Sequence, residues 1–191
     1  MIIYYTDKYN GRVEESSKLL KKSIDKYILL TGWQSGGATL NILKTEKGKP
    51  YIEKFDCFSV SHSNNVWVVA FDKDECGIDI QFTKNANYIS IAKKIFSNTD
   101  YESLLSSLDI KKDFFRIWTR REAFIKALGL SVMDTNIPPV RDDEISFNAK
   151  KYRMSDIDCE KFLTDLDHSK ENLCVSICAR NSIEELQFIE L

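Results

Sequence analysis

Helical and strand-like hydrophobic periods alternate along the chain. Residues 13–30 carry apolar side chains at helical spacing, and Thr31-Gly32 follows as a stop signal. The same spacing returns over 88–108 and over 113–128, where Gly129 stands at the C-cap position. We therefore predict a first helix, a helical region and a second long helix.

Short β-rich runs separate these helical regions. Residues 58–61, 66–71 and 76–80 are apolar and joined by turn-like Ser-Asn-Asn and Asp-Lys-Asp-Glu, which predicts an antiparallel three-strand meander. Beyond Pro138-Pro139, the pattern predicts strands at 144–148, 151–154 and 173–179, and a short helix at 159–166.

Helix followed by strands occurs twice in this order. This favours an α+β fold with two packed subdomains, 1–84 and 85–191, joined through residues 81–87. The 191 residues, of which 43% are hydrophobic, supply enough apolar surface for a globular core.

Composition argues against several classes of protein. No run approaches the ~18 apolar residues of a membrane span, and the start MIIYYTDKYN does not resemble a signal peptide. The net charge of −2 is unlike that of a general nucleic-acid binder. We therefore expect a cytoplasmic protein that associates with neither membrane nor nucleic acid.

Cysteine and charge patterns add two expectations. The five cysteines form no C-x-x-C pair and stand in apolar runs, so we expect reduced core residues. The histidines, His62 and His168, are not at ligand spacing from any cysteine, so no zinc site is expected. Residues 1–54 hold ten basic and six acidic side chains. That bias would attract an anionic partner, although a solvated helix face explains it equally well.

Polar residues interrupt the predicted meander at one edge. Its first and third strands would run in the same direction, which would place His62 and Asp79 about 10 Å apart. A metal-bound diphosphate would fit between them. A turn histidine satisfied by neighbouring serines is the simpler alternative for His62. Asp79, in contrast, lies between apolar residues and needs a partner or a metal.

A second cluster lies on the helix predicted at 113–128. Trp118, Glu122 and Lys126 are spaced i, i+4 and i+8 and share one face. A surface Glu-Lys pair would show the same spacing. Since apolar residues cover nearly the whole helix, we expect Glu122 and Lys126 to face an internal cleft.

Five motifs occur in order along residues 48–129. They are Gly48-Lys49-Pro50, FSVSHS (58–63), GIDIQ (77–81), IAKKIFSNTDYESLL (91–105) and WTRREAFIKALG (118–129). Together they resemble the Sfp-type enzymes of the 4′-phosphopantetheinyl transferase superfamily. The resemblance implies a pseudo-twofold pair of similar α+β subdomains in one chain, acting as a monomer.

The resemblance also implies a reaction. The phosphopantetheine arm of coenzyme A would pass to a serine of an acyl or peptidyl carrier protein, with release of adenosine 3′,5′-bisphosphate and dependence on Mg²⁺. Asp79 and Glu122 match the magnesium-binding acids, and Glu122 is also the candidate base. Lys126 matches a catalytic lysine that contacts the phosphates. The positions that match coenzyme A-binding residues are Lys49, Pro50, Ser61, His62 and Lys126.

Gln81 departs from the family pattern. Its position often holds a glutamate that is a third metal ligand, so the neutral amide would bind the metal weakly or through a water molecule. That departure leaves a non-catalytic binding module for coenzyme A or a carrier protein as an alternative. An unrelated metal-dependent phosphohydrolase would also need acids and a phosphate-binding histidine.

Overall fold

The computed structural model describes residues 1–34, 40–134, 136–159, 172–180, 183 and 185–191. The elements of its first part are β1 (Ile2–Thr6), α1 (Val13–Thr31), β2 (Leu43–Lys44), β3 (Pro50–Tyr51), β4 (Cys57–Ser63), β5 (Val66–Asp72) and β6 (Cys76–Phe82). Those that follow are α2 (Tyr88–Ile95), α3 (Asn98–Leu105), α4 (Ile110–Leu128), β7 (Glu144–Phe147), β8 (Lys150–Asp156), β9 (Leu173–Ala179) and β10 (Gln187–Glu190). The mixture of helices and sheets confirms the α+β class.

Two four-stranded sheets organise these elements. The first has the order β10-β1-β5-β4, and the second has the order β6-β9-β8-β7. Strands β2 and β3 form a separate two-stranded hairpin. Strand β6 thus joins a sheet made otherwise of later strands, and β10 returns to the first sheet. The division into residues 1–84 and 85–191 stays a prediction.

The predicted three-strand meander is wrong in its third strand. Strands β4 and β5 form the expected antiparallel pair, but β6 pairs with β9. The physical reason is that β5 has no free edge. Strand β1, for which the sequence pattern predicted no element, pairs with the other side of β5.

The helices follow the sequence pattern with one correction. Helix α1 is confirmed, and it ends at Gly32, whose φ of 69° is left-handed. The helical region at 88–108 is two helices, because the hydroxyl of Ser97 caps the start of α3 by accepting the N–H of Asp100. The short helix predicted at 159–166 lies outside the described residues except for Cys159, and His168 lies outside them too.

Helix α4 occupies the centre of the second half and packs against β6 and β9. Gly77 of β6 makes this approach possible. A Cβ atom added there would collide with the carbonyl oxygen of Ala123 and would lie 2.6 Å from the backbone nitrogen of Ala127. Because Asp79 is two residues beyond Gly77, the same contact brings β6 beside the polar face of α4.

Two further findings concern the cysteines and the hydrophobicity of the helices. All five cysteines are free thiols, and Cys76, Cys159 and Cys178 are buried. None of the helices in the described parts of the chain is long and apolar enough to cross a membrane.

Candidate active site

Serine hydroxyls join the facing edges of the two sheets. Strand β4 carries a serine at every second position, and each hydroxyl accepts a backbone N–H from β6 that no strand pairs. The donor and acceptor pairs are Ile78 to Ser59 at 3.1 Å, Ile80 to Ser61 at 3.3 Å, and Phe82 to Ser63 at 3.0 Å. These bonds give the buried backbone N–H groups of β6 their hydrogen-bond acceptors, and they hold β6 against β4. We call them the serine ladder.

Asp79 is the buried charge at the centre of the site. Its Oδ1 accepts hydrogen bonds from Ser61 Oγ at 2.7 Å and from Lys126 Nζ at 2.6 Å. Lys126 also donates to Ser61 Oγ at 2.9 Å. The structure therefore brings three of the predicted site residues, on β4, β6 and α4, into mutual contact.

Glu122 lies one helical turn before Lys126 and is partly buried. Burial raises the pKa of its carboxyl group, and the negative charge of Asp79 raises it further. Its carboxylate makes no hydrogen bond to any residue that the structure describes. A carboxylate with a raised pKa and free oxygens can accept a proton or bind a cation.

Lys49 and Pro50 lie across a cleft from Lys126. The cleft has a volume of about 250 Å³, and its lining includes Lys47, Lys49, Pro50 and Lys126. Lys49 Nζ donates to the carbonyl oxygen of Ala127 at 2.7 Å, which holds its ammonium group at the C-terminal end of α4. The Lys47 ammonium group is paired with Asp134 at 2.7 Å, so Lys49 and Lys126 are the lining lysines that would favour an anionic group such as a diphosphate.

His62 lies at the exposed edge of the same region. Its ring contacts that of Tyr9, with centroids 5.0 Å apart. Partial burial lowers the pKa of its imidazole, and the positive charge of Lys126 lowers it further, against the opposite effect of Asp79. Since Lys126 and Asp79 both influence this pKa, His62 lies within electrostatic range of the pair, and its role in binding coenzyme A stays a prediction.

Gln81 shares its face of β6 with Asp79. Its amide nitrogen donates to Ser63 Oγ at 3.1 Å and to the carbonyl oxygen of Phe82 at 3.0 Å. Its carbonyl oxygen has no hydrogen-bond partner in the described parts of the chain. That oxygen is the amide atom that a cation would bind.

The oxygen donors at this point suit a hard cation. Asp79 Oδ2 and both carboxylate oxygens of Glu122 form no hydrogen bond to described residues, and Mg²⁺ commonly uses one or two carboxylates with phosphate oxygens and water. Among the described residues, no group of three or more His, Cys, Asp or Glu side chains is arranged to hold a metal ion. The two acids and the Gln81 amide therefore fit a cation whose other ligands come from substrate and water.

Two arginines of α4, Arg120 and Arg121, were not identified from the sequence. Arg120 is buried and forms ion pairs of 2.8 Å with both Asp143 and Asp156. Arg121 donates to the carbonyl oxygen of Asp134 at 2.9 Å. These contacts fasten the segments after α4 to the helix. Ser59 and Ser63 were also missed, although serine at every second position of a strand was a visible signal.

Comparison with known protein families identifies one family that matches this chain. The family model described as the 4′-phosphopantetheinyl transferase superfamily matches residues 75–178, which include Asp79, Glu122 and Lys126. Lys49, Ser61 and His62 lie before the matched range.

Three relatives carry the same kind of name. The 4′-phosphopantetheinyl transferase Sfp of Bacillus subtilis (strain 168) is 34% identical over 115 residues, which are 58% of this chain and 51% of that protein. The 4′-phosphopantetheinyl transferase psf-1 of Bacillus pumilus is 38% identical over 97 residues, 48% of this chain and 41% of that protein. The 4′-phosphopantetheinyl transferase HetI of a Nostoc species is 36% identical over 92 residues, 44% of this chain and 39% of that protein. The chain thus matches about half the length, or less, of these relatives.

Proposed function

This chain belongs to the 4′-phosphopantetheinyl transferase superfamily, and from that premise we propose that it transfers the 4′-phosphopantetheine arm of coenzyme A to a serine of an apo carrier protein. The carrier is an acyl or a peptidyl carrier protein, and the second product is adenosine 3′,5′-bisphosphate. The observation that carries the proposal is the position of Glu122 beside Asp79 and Lys126, where its carboxyl group has a raised pKa and no hydrogen-bond partner among the described residues.

Glu122 is proposed as the base. The serine hydroxyl of the carrier attacks the phosphorus atom that bears the pantetheine arm, and its proton goes to Glu122 directly or through one water molecule. The bond from that phosphorus to the bridging oxygen breaks, and the bridging oxygen leaves with the adenosine bisphosphate. Burial of Glu122 favours this role, because a higher pKa makes a carboxylate a better proton acceptor.

Lys126 is proposed to stabilise the leaving oxygen. Its ammonium group donates hydrogen bonds to Asp79 and Ser61, and Lys126 lines the basic cleft. It can therefore contact a bound phosphate while it stays close to these two partners. Negative charge develops on the bridging oxygen as the bond breaks, and a fixed ammonium group stabilises that charge or donates a proton to it.

Coenzyme A is proposed to bind with its diphosphate in the cleft beside Lys49 and Lys126. Pro50 forms part of the wall, while Ser61 and His62 approach from β4. A bound phosphate would favour the protonated form of His62, whose pKa is lowered in the ligand-free protein. Binding should therefore take up a proton near neutral pH.

Mg²⁺ is the proposed cofactor, and Asp79, Glu122 and the carbonyl oxygen of Gln81 would hold it. When bound, the ion would offset the negative charge of the diphosphate in the transition state. Asp79, Glu122 and Lys126 come from one chain, which supports activity as a monomer. The five free thiols support a cytoplasmic setting.

Mass spectrometry of the carrier tests the proposal. Apo acyl and peptidyl carriers are incubated with the protein, coenzyme A and Mg²⁺, and Glu122→Gln serves as the control. We expect the wild type to add one phosphopantetheine group and the variant to be slower by about 10²–10⁴-fold.

The same reaction distinguishes the alternatives. Release of adenosine 3′,5′-bisphosphate without any carrier would indicate a hydrolase. Binding of coenzyme A with no transfer to any carrier tested would indicate a non-catalytic binding module. Either result would overturn the transferase proposal.

A further inference from the structure

Gln81 is held by its nitrogen and not by its oxygen. An amide nitrogen has two hydrogens, and both are used here, one toward Ser63 Oγ and the other toward the carbonyl oxygen of Phe82. The carbonyl oxygen of Gln81 keeps both lone pairs available, since no described residue donates to it.

The Phe82 carbonyl oxygen makes this orientation the favourable one, and Ser63 holds the side chain in it. Its hydroxyl oxygen accepts the backbone N–H of Phe82 at 3.0 Å and the Gln81 amide at 3.1 Å, so both of its lone pairs are engaged. If the amide were reversed, the Gln81 oxygen would face the lone pairs of the Phe82 carbonyl, which has no hydrogen to donate. Repulsion between these two acceptors disfavours that arrangement, and the hydrogen bond to the buried Ser63 keeps the amide nitrogen beside β4.

From these contacts we infer that Ser63 is a positioning residue for Gln81: together with the Phe82 carbonyl, it holds the side chain so that the amide oxygen is presented to a cation bound by Asp79 and Glu122. The inference rests on the proposed function, because it takes the cation site from it. The inference adds Ser63 to the cation site as a residue that acts through Gln81 and does not contact the cation itself. A neutral amide can serve as a metal ligand only if its oxygen faces the ion, and the contacts of its nitrogen with Ser63 and the Phe82 carbonyl supply that condition together.

The serine ladder offers a matched control. Ser59 accepts the N–H of Ile78 at 3.1 Å, just as Ser63 accepts that of Phe82, but Ser59 forms no bond with Gln81. Ser59→Ala and Ser63→Ala each leave one buried N–H of β6 without its acceptor. Their effects on stability should be similar, and their effects on the cation site should differ.

Titration calorimetry with Mg²⁺ at saturating coenzyme A tests the inference. We expect Ser63→Ala to weaken Mg²⁺ binding by about tenfold, the lower range for loss of a residue that orients a metal ligand. Ser63→Thr, which keeps the hydroxyl, should restore the affinity, and Ser59→Ala should leave it unchanged. In a Gln81→Met background, Ser63→Ala should have no further effect.

Four outcomes would overturn the inference. Equal Mg²⁺ affinities for Ser59→Ala and Ser63→Ala would show that the ladder acts only on stability. Weaker binding by Ser63→Ala in the Gln81→Met background would show that Ser63 does not act through Gln81. Failure of the wild type to bind Mg²⁺ would remove the cation site from the proposed function and the inference with it, whereas wild-type binding with an unaffected Ser63→Ala variant removes the inference alone.

Discussion

Lys126 donates a hydrogen bond of 2.6 Å to Oδ1 of Asp79 and thereby connects α4 with β6. The side chain of Asp79 is only 8% exposed, while that of Lys126 is 28% exposed. The lysine therefore partly balances a charge that water hardly reaches, and its own ammonium group remains accessible to a ligand in the cleft. Lys126 can therefore pair with Asp79 in the ligand-free protein and also contact a bound diphosphate.

Replacement of Lys126 by Met should change transfer and metal binding in opposite directions. We expect transfer to be slower by about 10²–10³-fold, since one donor to the developing negative charge is lost. Without coenzyme A, the affinity for Mg²⁺ should rise, because a positive charge next to Asp79 has been removed. Steady-state kinetics and metal titration measure the two effects, with Lys112→Met at an exposed position of α4 as control. A loss of Mg²⁺ binding would indicate that Lys126 is needed mainly to keep Asp79 in place.

The raised pKa of Glu122 predicts a pH-dependent cost to stability. A carboxyl group whose pKa is higher in the folded than in the unfolded state favours folding most when it is protonated, below the unfolded pKa of about 4.3. This contribution is lost as the pH rises through the folded pKa. At neutral pH in EDTA, Glu122→Gln should therefore be more stable than the wild type, with a rise in Tm of about 2–4 °C for each kcal/mol recovered.

The pH dependence of that gain provides the check. The difference in Tm between Glu122→Gln and wild type should shrink as the pH is lowered toward 4, because the wild-type carboxyl then becomes neutral as well. Glu102→Gln, at an exposed position of α3, should show no comparable gain at neutral pH. A Glu122→Gln variant that is less stable than wild type at neutral pH would contradict the proposed environment of Glu122.

Much of the fold followed from local pattern, and the errors have a physical origin. Helix α1 and strands β7, β8 and β9 lie within a few residues of their predicted bounds, since amphipathic periodicity and turn residues are local signals. The partner of β6 could not be found in this way. The pairing of β6 depends on whether β5 has a free edge. Strand β1, formed by residues 2–6, occupies the edge that β4 leaves.

Part of the site could also be predicted from the sequence. The apolar neighbours of Asp79 and the apolar residues around Glu122 and Lys126 on α4 indicated buried charges, and the structure brings Asp79 and Lys126 into contact. The role of the serines was not accessible, because a serine in a strand does not show which backbone donors lie opposite it. Arg120 was missed for a similar reason, since its partners Asp143 and Asp156 are distant in sequence.

Gly77 should tolerate no side chain. A methyl group would overlap the backbone of α4 at Ala123, and backbone cannot rotate aside as a flexible side chain can. We expect Gly77→Ala to lower the free energy of unfolding by about 3 kcal/mol or more, at the upper end of overpacking effects. Chemical denaturation measures the loss, and Ile78→Val, a neighbouring change that only removes a methyl group, should cost about 0.5–1.5 kcal/mol. If Gly77→Ala were as stable as Ile78→Val, the close contact between β6 and α4 would be disproved.

Gln81→Glu should strengthen the cation site and weaken the protein that lacks a cation. The added negative charge attracts Mg²⁺, so the affinity for the ion should rise and transfer should be retained. Without the ion, a third carboxylate would lie beside Asp79 and Glu122, and a carboxylate oxygen would replace the nitrogen that now donates to the Phe82 carbonyl. Both changes are unfavourable, and they make stability depend more steeply on the metal.

Thermal unfolding at a series of Mg²⁺ concentrations separates the two effects of Gln81→Glu. In EDTA the variant should unfold at a lower temperature than the wild type, and added Mg²⁺ should raise its Tm more than it raises the wild-type Tm. Gln81→Met, which has neither charge nor a ligand oxygen, should respond to Mg²⁺ less than the wild type. Since a glutamate at this position can only add to an oxygen-ligand site, loss of transfer in Gln81→Glu together with an unchanged response to Mg²⁺ would place the cation away from Gln81.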